Sequence, residues 1–317
     1  MTVLYPFSDE LSLWEIRDFS IQTLAGILSN SSKYYRSFEI PKRRGGLRKI
    51  DAPYPILEQI QRALVRYLQN RCEISECAYA FCRGKNAVMH ASSHVGSNEI
   101  LTVDVENFFG SITRQQIQQT LLINNIESDN SHIASLISTL NGVLPQGAPS
   151  SPFLSNAVFH ALDVRFSRLA SHLELNYTRY ADDLAFSGQS IPRNLPRLID
   201  KILSSKGYNL NSMKTKLKIN GARKIITGVS ISSGVPKAPR QFVRSVRAEV
   251  HRIEKNIGQF SASISIDPFI YERVLGKLNY WLQIEPNNEY AIKKRKLIGE
   301  AHQRFLNLSA DLSLNFG

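Results

Sequence analysis

Three carboxylates stand where an ordinary surface acid would not be expected. Asp104 ends the apolar run Ile100-Leu101-Thr102-Val103, and Asp182-Asp183 lie between Tyr177-Thr178-Arg179-Tyr180 and Leu184-Ala185-Phe186-Ser187. A solvated surface acid is the plain alternative, but each is bracketed by residues that favour burial. A buried carboxylate is costly unless a cation or metal offsets it. Adjacent side chains on a strand point to opposite faces, so only one of Asp182 and Asp183 can face Asp104 directly unless the turn is distorted. Converging carboxylates without His or Cys make a hard oxygen site, suited to Mg²⁺ with Mn²⁺ as a substitute. Such a site fits two-metal chemistry, in which one ion activates a hydroxyl and the other stabilises a leaving pyrophosphate.

The elements that must position these acids read as a mixture. Leu24, Ile27 and Leu28 recur at helical spacing within the first thirty residues. Residues 38–53 form two strand-like pieces around Gly45-Gly46, a hairpin in which residues 33–49 carry seven Lys/Arg and one Glu. A helix is expected over about 55–70, with Ile56, Ile60, Leu64 and Leu68 on one face. Another is expected over 152–171, with Ser150-Ser151-Pro152 supplying an N-cap and a proline at its start. Strands flank the Ala181-Asp182-Asp183 hinge. The interleaving predicts an α+β fold.

Beyond Pro236 the texture changes, and residues 236–304 hold 13 Lys/Arg against 7 Asp/Glu. Phe242, Val246, Val250, Ile253 and Ile257 share one side of a helical wheel; Arg240, Arg244, Arg247, His251 and Lys255 share the other. The cationic side is either a solvated stripe or a nucleic-acid face.

The whole chain of 317 residues carries 39 Lys/Arg against 27 Asp/Glu, a net charge of +12. That excess favours a polyanionic partner. Mean hydropathy is −0.20, no apolar run approaches a membrane span, and Met1–Glu10 has no basic-then-apolar signal. A cytoplasmic protein with no membrane partner is expected. Cys72, Cys77 and Cys82 are odd in number, and their spacing fits neither a redox pair nor a zinc knuckle.

Tyr180-Ala181-Asp182-Asp183 resembles the YxDD box of reverse transcriptases. Asp104 with Phe108-Phe109 resembles their first palm motif, and Leu144-Pro145-Gln146-Gly147 through Pro152 their second. Asn211-Ser212-Met213-Lys214-Thr215 resembles the motif carrying the palm lysine. Asn86-Ala87-Val88-Met89-His90 further resembles the NAxxH element of the retron branch. Ile226-Thr227-Gly228 stands where that branch has Val-Thr-Gly.

The resemblance implies a right-hand polymerase fold. N-terminal helices and fingers would occupy residues 1–95, and a palm with an antiparallel sheet backed by helices would occupy 96–235. Residues 112–142 would be helical and fingers-associated, and 236–317 a small helical thumb. Asp104, Asp182 and Asp183 are implied as catalytic metal ligands. Phe109 would exclude a ribose 2′-hydroxyl; its alternative is a core ring, the role given to Phe108 on the opposite strand face. Arg48, Lys42, Gln146 and Lys214 would meet the incoming dNTP; the alternative for Lys214 is a surface lysine at a helix end. Asn86, His90, Thr227, Gly228, Arg240, Arg244, Arg247 and Lys255 would meet RNA; for Asn86 and His90, which share a face if their stretch is helical, the alternative is a satisfied core or capping pair. The implied activity is copying part of a cognate non-coding RNA, primed from an RNA 2′-hydroxyl, to give branched RNA-linked DNA. A separate effector protein and antiphage defence complete the implied system. The remaining functions are another bacterial reverse transcriptase, group II intron-like or defence-associated, and a non-catalytic RNA-binding scaffold.

Overall fold

The computed structural model describes residues 21–42, 45–219, 221–256, 267 and 269–314. The expected helices before residue 21, Arg43 and Arg44 of the basic hairpin, and Ile257 lie outside the described residues. The chain forms two compact units, one of residues 1–86 and 97–219, the other of 87–96 and 220–317. Residues 87–96, assigned by sequence to the N-terminal part, thus cluster with the C-terminal one.

In the first unit, helix α1 (Ile21–Ser29) precedes the antiparallel hairpin β1 (Tyr35–Pro41) and β2 (Leu47–Pro53). Helix α2 (Pro55–Leu68) starts on a proline, which tolerates the first turn because no intrahelical N–H is lost there. Leu57, Ile60, Leu64 and Leu68 are its buried stripe, so Leu57 rather than Ile56 leads the inward face. Strand β3 (Glu99–Asp104) lies inside a four-stranded sheet with β4 (Asn176–Tyr180), β5 (Asp183–Gly188) and β6 (Lys216–Lys218), in the order β4-β5-β3-β6. Every pairing in it is antiparallel. Helices α4 (Arg114–Ile123), α5 (Ser128–Ser138), α6 (Ser151–His172) and α7 (Leu195–Ser204) complete the unit.

Helix α4 opens with a reciprocal capping box between Thr113 and Gln116. The cap expected at Ser150 does not form: Ser150 has helical dihedrals and makes no side-chain cap bond. Instead Ser151 donates from Oγ to the Pro145 carbonyl at 2.7 Å. That bond folds the loop before α6 back on itself. The core joins sheet to helices through aromatic contacts, with Phe166 of α6 at 5.5 Å from Tyr177 of β4 and 6.0 Å from Phe186 of β5.

The second unit joins the short helix α3 (Ala87–Ser92) to a two-residue ribbon, β7 (Ile225–Ile226) and β8 (Val229–Ser230), and to helices α8 (Arg240–Asn256), α9 (Ile270–Ile284) and α10 (Glu289–Leu314). Val246, Val250 and Ile253 are buried as the wheel predicts, and Arg240, Arg244, Arg247, His251 and Lys255 are exposed. The α+β class is the one expected. Among the described residues no helix is long and apolar enough to cross a membrane.

Candidate active site

Backbone pairing gathers the acids. Asp104 on β3 is in register with Asp183 on β5, and Val105 donates its N–H to the Asp182 carbonyl at 2.9 Å. Ala181 turns the chain with φ of 57°, a left-handed conformation uncommon outside glycine. The distortion that strand alternation requires is therefore present, and it falls at Ala181.

The second contributor is tied to the same strand end. Asn211 donates its N–H to the Asp104 carbonyl at 2.9 Å, and the following turn closes when Lys214 donates its N–H to the Asn211 carbonyl at 3.1 Å. This brings Lys214 Nζ to 2.9 Å from both Asp104 carboxylate oxygens. The hydrogen bond to Asp104, with the charges of all three acids, raises the Lys214 pKa and keeps its ammonium protonated.

Burial first, and charge crowding second, governs the other two acids. Desolvation raises the Asp182 pKa, helped by Asp104 and opposed by Lys214 and Arg48. Desolvation, then the charges of Asp182 and Asp104, pushes Asp183 up to about 7. Among the described residues no group of three His, Cys, Asp or Glu is arranged as a metal cage; the Lys214 ammonium is the countercharge on Asp104. The donor chemistry nevertheless fits a hard divalent cation. The set is all oxygen, and two of its carboxyls are held above their ordinary range by burial and then by the charge of their neighbours, a cost that a bound cation offsets.

Arg48 stands on the exposed hairpin opposite Ile40, close enough for its charge to act on Asp182. Lys42 is exposed at the hairpin turn, where its N–H meets the Gly46 carbonyl at 2.8 Å. The hairpin docks on the loop before α6: Asp51 donates its N–H to the Gln146 carbonyl at 2.9 Å. Gly147 allows that approach with φ of 131°. The Gln146 side chain is half-buried. Phe108 is buried and Phe109 half-buried, the division expected, but the reason is different. Asn107 turns left-handed at φ 45° and Phe108 is helical, so the rings diverge at a turn rather than across a strand.

The two elements resembling the retron branch meet in the second unit. Thr227 and Gly228 form the two-residue loop of the β7–β8 hairpin, with φ of 44° and 82°, as such a turn requires. A β-branched residue there is strained. Thr227 is held by donating from Oγ1 to the Ala87 carbonyl at 3.0 Å, and its hydroxyl lies 3.4 Å from His90 Nδ1. His90 and His94 are fully buried, ring centroids 5.6 Å apart. Burial, then the charge of His94, lowers the His90 pKa to about 3; burial alone lowers that of His94 to about 4. His90 thus supports a turn from inside the core, and Asn86 immediately precedes its helix. Of the arginines assigned to RNA, Arg247 departs from the rest: its guanidinium sits 4.8 Å from the Tyr290 ring centre and 5.9 Å from that of Trp281.

Sequence reasoning missed a buried cluster behind the acids. Arg179 and Asp163, both without solvent exposure, form a two-pronged ion pair at 2.9 and 2.6 Å. An arginine inside a strand and an aspartate in the middle of the helix that follows Pro152 were the available signals.

The profile described as "Reverse transcriptase (RNA-dependent DNA polymerase)" matches residues 40–246. The chain is 30% identical over 261 residues to the retron Mx162 reverse transcriptase of Myxococcus xanthus, covering 71% of this chain and 54% of that protein. It is also 30% identical over 249 residues to the retron Mx65 reverse transcriptase of the same organism, covering 70% and 57%. Against the retron Ec86 reverse transcriptase of Escherichia coli, identity is 29% over 268 residues, covering 81% and 84%. The chain therefore spans little more than half the length of the first two relatives. The sequence motifs, the architecture and these relatives agree: the chain belongs to the reverse transcriptase family, and its likeness is to the retron-type members.

Proposed function

We propose that this chain is an RNA-directed DNA polymerase that reverse transcribes part of its own structured non-coding RNA. Synthesis would start from an RNA 2′-hydroxyl and yield branched RNA-linked single-stranded DNA, in a defence system with a separate effector protein. The observation that carries the reading is the register of Asp104 against Asp183, with Asp182 in the adjoining turn and Lys214 bonded to Asp104.

In this reading Asp104, Asp182 and Asp183 hold Mg²⁺, two ions, with Mn²⁺ as a substitute. Bound metal supplies Lewis-acid activation of the attacking hydroxyl and charge neutralisation at the leaving group. The growing-end oxygen bonds to the α-phosphorus of the dNTP, and pyrophosphate leaves with the α–β bridging oxygen. Arg48 and Lys42 bind the triphosphate, the guanidinium fork matching its oxygens. Lys214, protonated beside the acids, offsets Asp104 and stands ready to give a proton to pyrophosphate. Phe109 packs against the sugar, and Gln146 contacts the nucleotide. The exposed cations of α8 take RNA phosphates, while Thr227 and Gly228 present a shaped turn to the RNA, since phosphate contacts carry little sequence information.

Asp182→Asn removes charge without volume and tests this site. Extension of an RNA-templated primer is expected to fall at least about a hundredfold, a loss of roughly 2.7 kcal/mol of transition-state stabilisation. RNA binding and the thermal midpoint should be retained. Extension above about a hundredth of the wild-type rate would overturn the assignment.

A further inference from the structure

Arg179 lies two residues before the turn that carries Asp182, and its guanidinium uses every prong. Nε and Nη2 donate to Asp163 Oδ1 and Oδ2 at 2.9 and 2.6 Å. Nη1 donates to Asn156 Oδ1 at 2.9 Å and to the Ala181 carbonyl at 3.2 Å. Tyr177 Oη donates to the same Asp163 at 2.8 Å, and the guanidinium lies 4.7 Å from the Phe159 ring centre. Arg179, Asp163 and Asn156 are at most 1% exposed. Asp163 and Asn156 sit seven residues apart, two turns along α6. The cluster is thus fixed on a rigid helix.

Its outputs are two backbone carbonyls. One belongs to Ala181, whose left-handed φ sets the direction of the acids. The other belongs to Ala80, which accepts from Asn156 Nδ2 at 2.9 Å. The segment around Ala80 is also laced to Arg179 itself: Arg179 donates its N–H to Cys77 and Tyr79 donates to Arg179, both at 2.8 Å. The next residue, Phe81, has a φ of 61° and is 52% exposed, its ring centre 6.3 Å from that of Phe109. A bulky residue held left-handed with its ring in solvent is unfavourable unless its surroundings impose it.

We infer that the Asp163–Arg179–Asn156 cluster is a positioning unit that holds the carboxylate turn at Ala181 and the Phe81–Phe109 aromatic pair in one fixed relation. Arg179 acts through the backbone, so it is a positioning residue and not a catalytic one. Phe81 is the specificity residue added by this arrangement: its ring extends the wall that Phe109 presents to the nucleotide sugar. The inference rests on the polymerase reading above.

Two variants test it. Arg179→Met/Asp163→Leu removes both charges together and fills the space, a replacement that buried ion pairs commonly tolerate. Arg179→Lys keeps the charge facing Asp163 but loses the fork. The first readout is Mn²⁺ affinity by electron paramagnetic resonance, with RNA template, DNA primer and a non-hydrolysable dNTP present. The others are the thermal midpoint and the ratio of dNTP to rNTP incorporation. Both variants are expected to fold, to bind Mn²⁺ about tenfold or more weakly, as loss of outer-shell support does elsewhere, and to discriminate less against rNTP. Phe81→Ala should lower discrimination with Mn²⁺ affinity unchanged. A folded variant with wild-type Mn²⁺ affinity and wild-type discrimination overturns the inference. Should the double variant fail to fold, Arg179→Lys decides it alone. Asp182→Asn, run in parallel, separates the two claims. If it extends primers normally, the site reading falls; if it is inactive while the Arg179 variants behave as wild type, only the positioning role falls.

Discussion

Gly147→Ala probes whether the hairpin is held in place by the loop before α6. A Cβ built on Gly147 would stand 2.8 Å from Ile50 Cγ2 and 3.0 Å from the Asp51 carbonyl oxygen. The isoleucine can rotate, but the carbonyl can retreat only if β2 moves, and β2 is tied there by the Asp51 N–H bond to Gln146. The φ of 131° adds strain of its own, on the order of 1–3 kcal/mol for a side-chain-bearing residue. Loss of the tethering hydrogen bond adds about 1 kcal/mol. The variant should therefore lose about 2–4 kcal/mol in urea denaturation. Because β2 carries Arg48, KM for dNTP should rise about tenfold or more, the size of a lost hydrogen bond to a charged group. Gly207→Ala is the control: φ is 79° and nothing lies within 4 Å of its Cβ. It should cost about 1–2 kcal/mol of backbone strain and leave KM alone. If Gly147→Ala matches wild type within about 0.5 kcal/mol with an unchanged KM, the docking argument is refuted.

Replacing Arg240, Arg244 and Lys255 together with Gln should flatten the slope of log RNA affinity against log salt by about two units, at roughly 0.7–0.9 per phosphate contact. An unchanged slope returns α8 to a solvated surface. Arg247→Gln should instead lower the thermal midpoint slightly, since its ring contacts are worth about 0.5–1 kcal/mol. The buried histidines give a pH dependence with a defined sign. Above about pH 6.5, His90 and His94 are neutral whether folded or unfolded, and the stability they allow is fully present. As pH falls below that value only the unfolded chain takes up the two protons. Stability should then drop by up to about 2.7 kcal/mol per pH unit towards pH 4, about 1.4 for each histidine. The difference in urea midpoint between wild type and His90→Leu/His94→Leu should widen over this range; a constant difference would refute neutral burial.

Where the chain encodes structure locally, it could be read in advance. Asp104 ends an apolar run, and Asp182-Asp183 sit between two strands; the sheet then places them side by side. Helix α8 buries Val246, Val250 and Ile253 as its periodicity requires. What escaped was non-local. Arg179 stands in the sequence only as one residue of a strand, and its pairing inside the core depends on Asp163, which comes from α6. Arg247 lies on the polar side of its own helix, and only α9 and α10 supply the rings it rests on. Ser150 has the right residue type for a cap but lacks the extended backbone a cap needs, because Ser151 is already bonded to the loop before it.

The division of the C-terminal unit bears on how the chain comes to be folded. Its parts, residues 87–96 and 220–317, are separated by the whole of strands β3 to β6. Ala87 and Thr227, joined by a hydrogen bond, lie 140 residues apart. At about 5–20 residues per second on the ribosome, the first segment waits roughly 7 to 28 seconds for its partner. Throughout that interval His90 and His94 have no core to enter, and a chain ended at residue 219 would leave them in that state permanently. The unit cannot be excised by a single cut or appended by a single fusion. A fragment transplanted from residues 1–219 of this chain would have to take the downstream helices with it.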